Sequence, residues 1–246
     1  MNKLDDNKII EDEELENAKK EAGMLKKTFI LTTIILIILI CVFCFLLFLS
    51  FSESITIQEA AKPIIYIYPD EEEMDLTVSL GYPEKVTCIY PMQNADNMWN
   101  ITAKKDGTIV DKSTGKEYYS LYWEGLNTKT YGNNLEEGFV IENKDIANFL
   151  DEKLEFLGLN YKEREEFIIY WLPKLQENKY VYIRFQTLDE IEENMPLYIN
   201  EEPDTLIRVM MEWKGLDEYK EVKEQKLEKV ERKGFTVVEW GGTEIK

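Results

Sequence analysis

A chain of 246 residues with 48 acidic and 29 basic side chains has a formal net charge of −19, and it contains three Cys and no His. Without His there is no Ser-His-Asp triad, no Cys-His dyad and no His-bearing zinc site, so catalysis is left to carboxylates, Lys, Tyr, Ser/Thr or a lone Cys. The acidic balance excludes nucleic acid as a partner, because phosphate binding needs a basic face, and the length accommodates one ordinary domain plus an appendage, or two small domains.

Residues 1–27 carry 8 acidic and 6 basic groups around a few apolar residues (Ile9, Ile10, Leu15, Met24), too polar a mixture to form a core. No charge occurs from Thr28 through Ser52, and 17 of the 22 residues at 28–49 are Leu, Ile, Val or Phe. At about 1.5 Å per residue such a helix is roughly 33 Å long, close to the ~30 Å of a hydrocarbon core. We therefore expect a transmembrane helix at 28–51 in contact with the lipid bilayer. Lys19, Lys20, Lys26 and Lys27 precede it, whereas serines and Glu53 follow. By the positive-inside rule the N-terminus is cytoplasmic, the rest is extracytoplasmic, and the protein is a single-pass signal-anchor protein of the cell membrane. Ser50-Phe51-Ser52 has the small-x-small form of a cleavage site, but the apolar stretch is longer than a cleavable signal requires. Ile40 and Phe43, which precede Cys41 and Cys44, are too large for a lipoprotein signal.

Residues 52–61 read as a polar tether, and 62–246 as one extracytoplasmic domain with a single cysteine, Cys88. Beyond the span lie 40 acidic and 23 basic groups, net −17. Short β-branched and aromatic runs predict strands at 64–68, 75–80 and 85–90. WNITAKKDGTIVDKSTGKEYYSLYW predicts a meander, with Asp106-Gly107 as a type I′ hairpin turn and Ser113-Thr114-Gly115 as the next turn. From Asp145 the spacing of Ile146, Phe149, Leu150, Leu154 and Leu157 predicts a helix closed by Gly158. Asn160 with Glu163 forms a capping box for a second helix bearing Phe167, Ile168 and Trp171, which Pro173 ends or kinks. Strands resume at 180–185, 196–200, 205–213 and 233–240, and the charged segment 219–231 leans to strand. Strands, a central helical hairpin, then strands, without βαβ alternation, predict an α+β fold with a largely antiparallel sheet.

At KPIIYIYP, GKEYYSLYWEG, WLPKLQENKYVYIRFQ and ERKGFTVVEWGG the chain resembles a family of bacterial extracytoplasmic proteins of uncharacterised function, over most of residues 62–242. The resemblance implies one compact domain behind an export or anchor segment, and carries no activity, substrate or catalytic residue.

Candidate chemistry rests on carboxylates and aromatics. Glu124 in YWEG and Glu239 in VEWGG each adjoin a Trp and a glycine, the setting in which a glycosidase places an acid and a base beside sugar-stacking rings; the alternative is strand polar positions alternating with core aromatics. All 14 Tyr and all five Trp lie beyond the span, so Trp99, Tyr122, Trp123 and Trp240 are candidates for a binding face, or else fill a β core. The run Asp70–Glu73 and Asn94-Ala95-Asp96 lack the spaced loop of a calcium site and read as solvated turns. Cys88 alternates like a core strand residue and reads as an inert thiol, and Asn100-Ile101-Thr102 has the form of a glycosylation sequon. No cofactor or metal is expected. The sequence favours a membrane-anchored, non-catalytic binding or scaffolding protein whose partner is a cell-wall polymer or a membrane protein; the alternative is a carboxylate-dependent hydrolase of cell-wall glycan using Glu124 and Glu239.

Overall fold

The computed structural model describes residue 20 and residues 24–27, 29–45, 59–126 and 128–245. The chain divides into two compact units, Met1–Ile55 and Thr56–Lys246. In the first, helix α1 (Met24–Phe45) is 22 residues long; an 18-residue stretch of it has a mean hydropathy of 3.0 and is not buried, so the helix is long and apolar enough to cross a membrane. It begins four residues before the expected span. Residues 46–51, the Ser50-Phe51-Ser52 motif and residues 52–58 of the expected tether lie outside the described residues. Thr32 and Thr33 inside α1 cost little in an apolar setting, because their hydroxyls donate to the Phe29 carbonyl at 2.9 and 2.8 Å.

The second unit is α+β with mostly antiparallel sheets. Its elements are β1 (Glu59–Tyr68), β2 (Glu73–Leu80), β3 (Val86–Tyr90), β4 (Met98–Lys104), β5 (Ile109–Asp111), β6 (Glu117–Tyr118), β7 (Leu121–Leu126), β8 (Glu137–Glu142), α2 (Ile146–Phe156), α3 (Tyr161–Leu175), β9 (Tyr180–Phe185), α4 (Leu188–Asn194), β10 (Leu197–Ile199), β11 (Thr205–Leu216), β12 (Lys223–Glu224) and β13 (Thr236–Glu244). An eight-stranded sheet runs in the order β12-β8-β9-β11-β13-β1-β7-β3, and a five-stranded sheet in the order β10-β2-β4-β5-β6.

Strand alternation sorts the apolar residues into two cores. On one face of the eight-stranded sheet, Ile64 and Tyr66 of β1, Val209 and Met211 of β11, and Val238 and Trp240 of β13 pack against Leu150 and Leu154 of α2 and Phe167 and Trp171 of α3. The intervening residues Ile65, Ile67 and Val237 face the other way, onto Leu76, Val78, Trp99 and Ile101 of the five-stranded sheet. The central strands β1 and β13 are therefore apolar on both faces, as strands buried on both sides must be. Helix α3 starts as its sequence dictates. The Asn160 side chain accepts from the Lys162 and Glu163 amides, and Glu163 accepts from the Asn160 amide at 2.8 Å. Pro173 lies in the last turn without ending the helix.

Several elements differ from the expectation. β11 and β13 are parallel over nine residue pairs in the middle of the sheet. They are joined not by a helix but by the strap 217–235, which is irregular apart from two residues of strand rather than a strand throughout. The strap is held by Leu227 and Val230 on the helix-side core, and by Arg232, which donates to the Glu163 carboxylate at 2.8 to 3.2 Å. The Asp106-Gly107 turn is a hairpin, but not type I′. Gly107 alone has positive φ, at 90°, while its amide bonds to the Lys104 carbonyl and the Lys104 amide to the Thr108 carbonyl. This is a three-residue loop with glycine in the left-handed position. EYYSLYW divides between the two sheets, as β6 and β7. β1 begins at Glu59, within the segment expected to be tether.

Candidate functional site

Charged side chains on the inner faces of β9, β11 and β13 are carried into the interior by the same alternation that builds the cores. Arg208 on β11 and Glu239 on β13 are register partners with no exposed side-chain surface, and the Arg208 Nε donates to Glu239 Oε2 at 2.6 Å. Glu239 Oε1 accepts from the Trp123 indole N–H at 2.8 Å. The remaining Arg208 nitrogens donate to Glu192 (2.5 Å) and to the Met195 carbonyl (2.8 Å), at the end of α4. One turn of strand further, Glu212 accepts from the Tyr131 amide (2.8 Å), the Gly132 amide (2.7 Å), the Gln186 side chain (2.8 Å) and Arg184 (3.4 Å). Arg184 in turn donates to both oxygens of Glu190 at 2.7 and 2.9 Å. Burial opposes the Arg184 charge, but the bonds to Glu190 outweigh it and hold the guanidinium above its usual range.

Both oxygens of Glu239, of Glu212 and of Glu190 are occupied. The buried pairs act as pins: Glu239 joins β13 to β7 and Glu212 clamps the loop around Tyr131 and Gly132 onto β11. The cavity beside Arg208, lined in part by Trp123, Gln186 and Asn194, has a volume of about 20 Å³, room for one water and no organic substrate. On the helix side, burial and then the hydrogen bond to Glu166 (2.7 Å) keep the Tyr66 proton far above the ordinary phenol range. Burial likewise pushes the Tyr182 hydroxyl up to about 12, and that hydroxyl donates to the Glu137 carbonyl.

The structure does not bring Glu124 and Glu239 together. β7 places Trp123 on the face of Glu239 and turns Glu124, the next residue, to the opposite face. There Glu124 bonds to the Tyr122 hydroxyl, whose proton is held high by burial first and by Glu124 second. The aromatics proposed for a binding face are for the most part inside. Trp99, Trp123 and Trp240 are 1%, 3% and 0% exposed, and the Trp99 N–H donates to the Pro91 carbonyl at 2.7 Å. Tyr122 is half-buried against the helix-side core. Among the described residues no group of three or more Cys, Asp or Glu is arranged to hold a metal ion. The Asn94 carbonyl oxygen instead accepts from the Asp96 and Met98 amides, so this segment is an Asx-type turn.

The accessible rings lie elsewhere. Where β3 ends and the chain crosses to β4, a groove of about 390 Å³ runs between Tyr90–Met98 and the β5–β6 hairpin. Tyr90 and Met92 are 61% and 77% exposed on its rim, and the Tyr90 and Tyr118 rings meet edge to face at 5.6 Å. In the sequence Asn94, Ser113 and Thr114 read as turn residues and Asn100 as part of a sequon form, and neither these nor Tyr90, Met92 and Tyr118 read as a binding site. The signal available was PMQNADNM, a polar run with amides and two methionines between strands.

The chain is similar, over part of its length, to a protein of Butyrivibrio fibrisolvens. That protein is described as an uncharacterized protein in the bglA 3'region, and is 45% identical over 64 residues, which is 26% of this chain and 65% of the relative. The likeness is consistent with a resemblance to uncharacterised proteins and does not test the particular motif pattern. No family model matches the chain, and no solved structure matches it.

Proposed function

We propose that the protein is a membrane-anchored binding protein of the cell surface. In this reading α1 is a single-pass signal anchor with its N-terminus cytoplasmic, and residues 62–246 form an extracytoplasmic domain in which α2 and α3 are the helical hairpin. The four lysines at 19, 20, 26 and 27, ahead of an uncharged stretch, support that orientation. One observation carries the binding role: the Glu239 and Glu212 carboxylates are fully occupied by fixed partners, whereas the groove beside Tyr90 sets an exposed ring next to side-chain polar atoms without partners among the described residues. A catalytic acid or base has to exchange a proton with substrate, and Glu239 is locked between Arg208 and Trp123, beside which the cavity has room for one water and no substrate.

The partner in this proposal is a cell-wall polymer or a membrane protein. The test is co-sedimentation of the full-length protein, in detergent, with isolated cell-wall and membrane fractions, with released sugars measured in the same samples. Sedimentation without release of product is expected. Turnover of a wall polymer, or no association with any fraction, would contradict the proposal.

A further inference from the structure

We infer that the groove between Tyr90–Met98 and the β5–β6 hairpin is a binding site for an uncharged oligosaccharide. This rests on the binding role proposed above and names the ligand class. The groove volume of about 390 Å³ falls within the ~300–1,000 Å³ typical of small-ligand sites.

The lining has two kinds of surface. Tyr90 and Met92 present exposed apolar area, with Tyr118 packed edge-on against Tyr90. Between them lie polar groups of both senses whose capacity is only partly used. Asp111 accepts four bonds on one oxygen, from the amides and hydroxyls of Ser113 and Thr114, while its second oxygen has no partner among the described residues. The Asn100 carbonyl oxygen accepts from the Thr77 hydroxyl at 3.1 Å, and its amide nitrogen has no partner among the described residues. The same is true of the Asn94 amide nitrogen, whose oxygen is committed to the turn. The Gln93 amide nitrogen is buried and unpartnered.

A ligand matching this lining must both donate and accept at closely spaced points, because the site offers free amide donors beside a free carboxylate oxygen. It must also present a flat apolar face to a phenol ring. Pyranose sugars combine these features: each hydroxyl both donates and accepts, and the C–H face of the ring is apolar. A purely apolar ligand would strand the Gln93 amide and Asp111. An anionic polymer would approach a domain that carries net −17 beyond the span, with Lys116 as the one cation lining the groove. Two other surface depressions, of about 530 and 550 Å³, adjoin the strap and α2. They offer fewer free amides: the Gln225 side chain is committed to the Phe185 amide and carbonyl, which leaves Asn148 as the one side-chain amide lining them.

The experiment uses the full-length protein in nanodiscs, titrated calorimetrically with cellotetraose, chitotetraose and maltotetraose, and with tetragalacturonate as the anionic comparison. At least one neutral tetrasaccharide is expected to bind, with tetragalacturonate at least tenfold weaker. Tyr90→Ala should weaken binding at least tenfold without moving the thermal midpoint. Gln93→Leu separates binding from folding. It removes an unpaired buried amide, so the midpoint should hold or rise while affinity falls at least fivefold. Failure of all three neutral sugars, equal binding of tetragalacturonate, or wild-type affinity in both variants would overturn the assignment. If the wild type still sediments with wall or membrane fractions in that event, the binding role stands and only the ligand class and site fall. If it sediments with none, the role itself fails.

Discussion

Replacing Arg208 by Met is the sharpest test of how the interior is held together. Arg208 has no exposed side-chain surface and makes bonds to Glu239 at 2.6 Å, to Glu192 at 2.5 Å and to the Met195 carbonyl at 2.8 Å. Methionine fills much of the same volume but leaves Glu239, itself with no exposed surface, with the Trp123 N–H as its remaining partner. Abandoning a buried charge in this way costs about 3–5 kcal/mol. A domain of this size has roughly 5–15 kcal/mol of stability and loses about 2–4 °C of midpoint per kcal/mol. The expected fall is therefore about 6–20 °C. Glu192 is partly exposed and can turn to water, so most of the cost lies at Glu239. The double variant Arg208→Met/Glu239→Leu removes both charges and should recover most of the loss. Urea unfolding of the full-length protein in detergent, followed by tryptophan fluorescence, reads this directly, since all five Trp lie in the second unit. A single variant that costs less than about 1 kcal/mol, or a double variant no better than the single, would refute the reasoning.

Two further outcomes are expected. Gly158 has φ of +93°, and a Cβ there would sit 2.9 Å from Ile207 Cδ1 and 3.1 Å from Val230 Cβ. Gly158→Ala should therefore cost about 1–3 kcal/mol by the same unfolding measurement, and a neutral effect would show that the strap does not press on this turn. Surface carboxylates govern the acid limit. Asp75 is held low by Lys112 and Thr102, Asp111 by Ser113, Glu137 by Lys223, and Glu193 by Lys129 and Tyr131. Groups whose folded pKa is depressed stabilise the fold above their unfolded pKa, and that contribution is lost as pH falls through the folded value. The thermal midpoint should stay level from about pH 8 to 5 and fall below about pH 4. A decline between pH 8 and 6 would contradict this, because the chain has no His to titrate there.

Much of the architecture is readable wherever pattern and local chemistry agree. The run YVYIRF is β9 residue for residue, and the Asn160–Glu163 box starts α3 where its spacing requires. Helix α4 is only seven residues long with one buried residue, Ile191, so its apolar rhythm is invisible; in the structure it is started by a Thr187–Glu190 capping box that the sequence reading missed. β8, in EGFVIE, offers too little alternation to stand out and is specified by its pairing with β9. The parallel pairing of β11 with β13 depends on a strap that carries no helical pattern, so connectivity alone hid it.

The site was less legible, for a physical reason. A Trp beside a Glu reads equally as a catalytic rim or as a core pair, and Trp123 with Glu239 is a core pair. Period-2 alternation decides the matter only once the faces are known, and it sends Glu124 away from Glu239. The groove residues come from the end of β3 and the loop after it, the start of β4, and one short hairpin, β5–β6. Their juxtaposition depends on the packing of two sheets, which no local pattern encodes.

The central claim, an anchored domain held outside the cell, is tested most directly through its cysteines. Cys88, expected at a core strand position, is instead exposed on β3, whereas Cys41 and Cys44 lie within α1. Intact cells expressing the protein would be treated with a membrane-impermeant maleimide, alongside a Cys88→Ser variant. The account predicts labelling of the wild type without permeabilisation and loss of the label in the variant. Labelling only after the membrane is opened would place the domain on the cytoplasmic side and contradict the account.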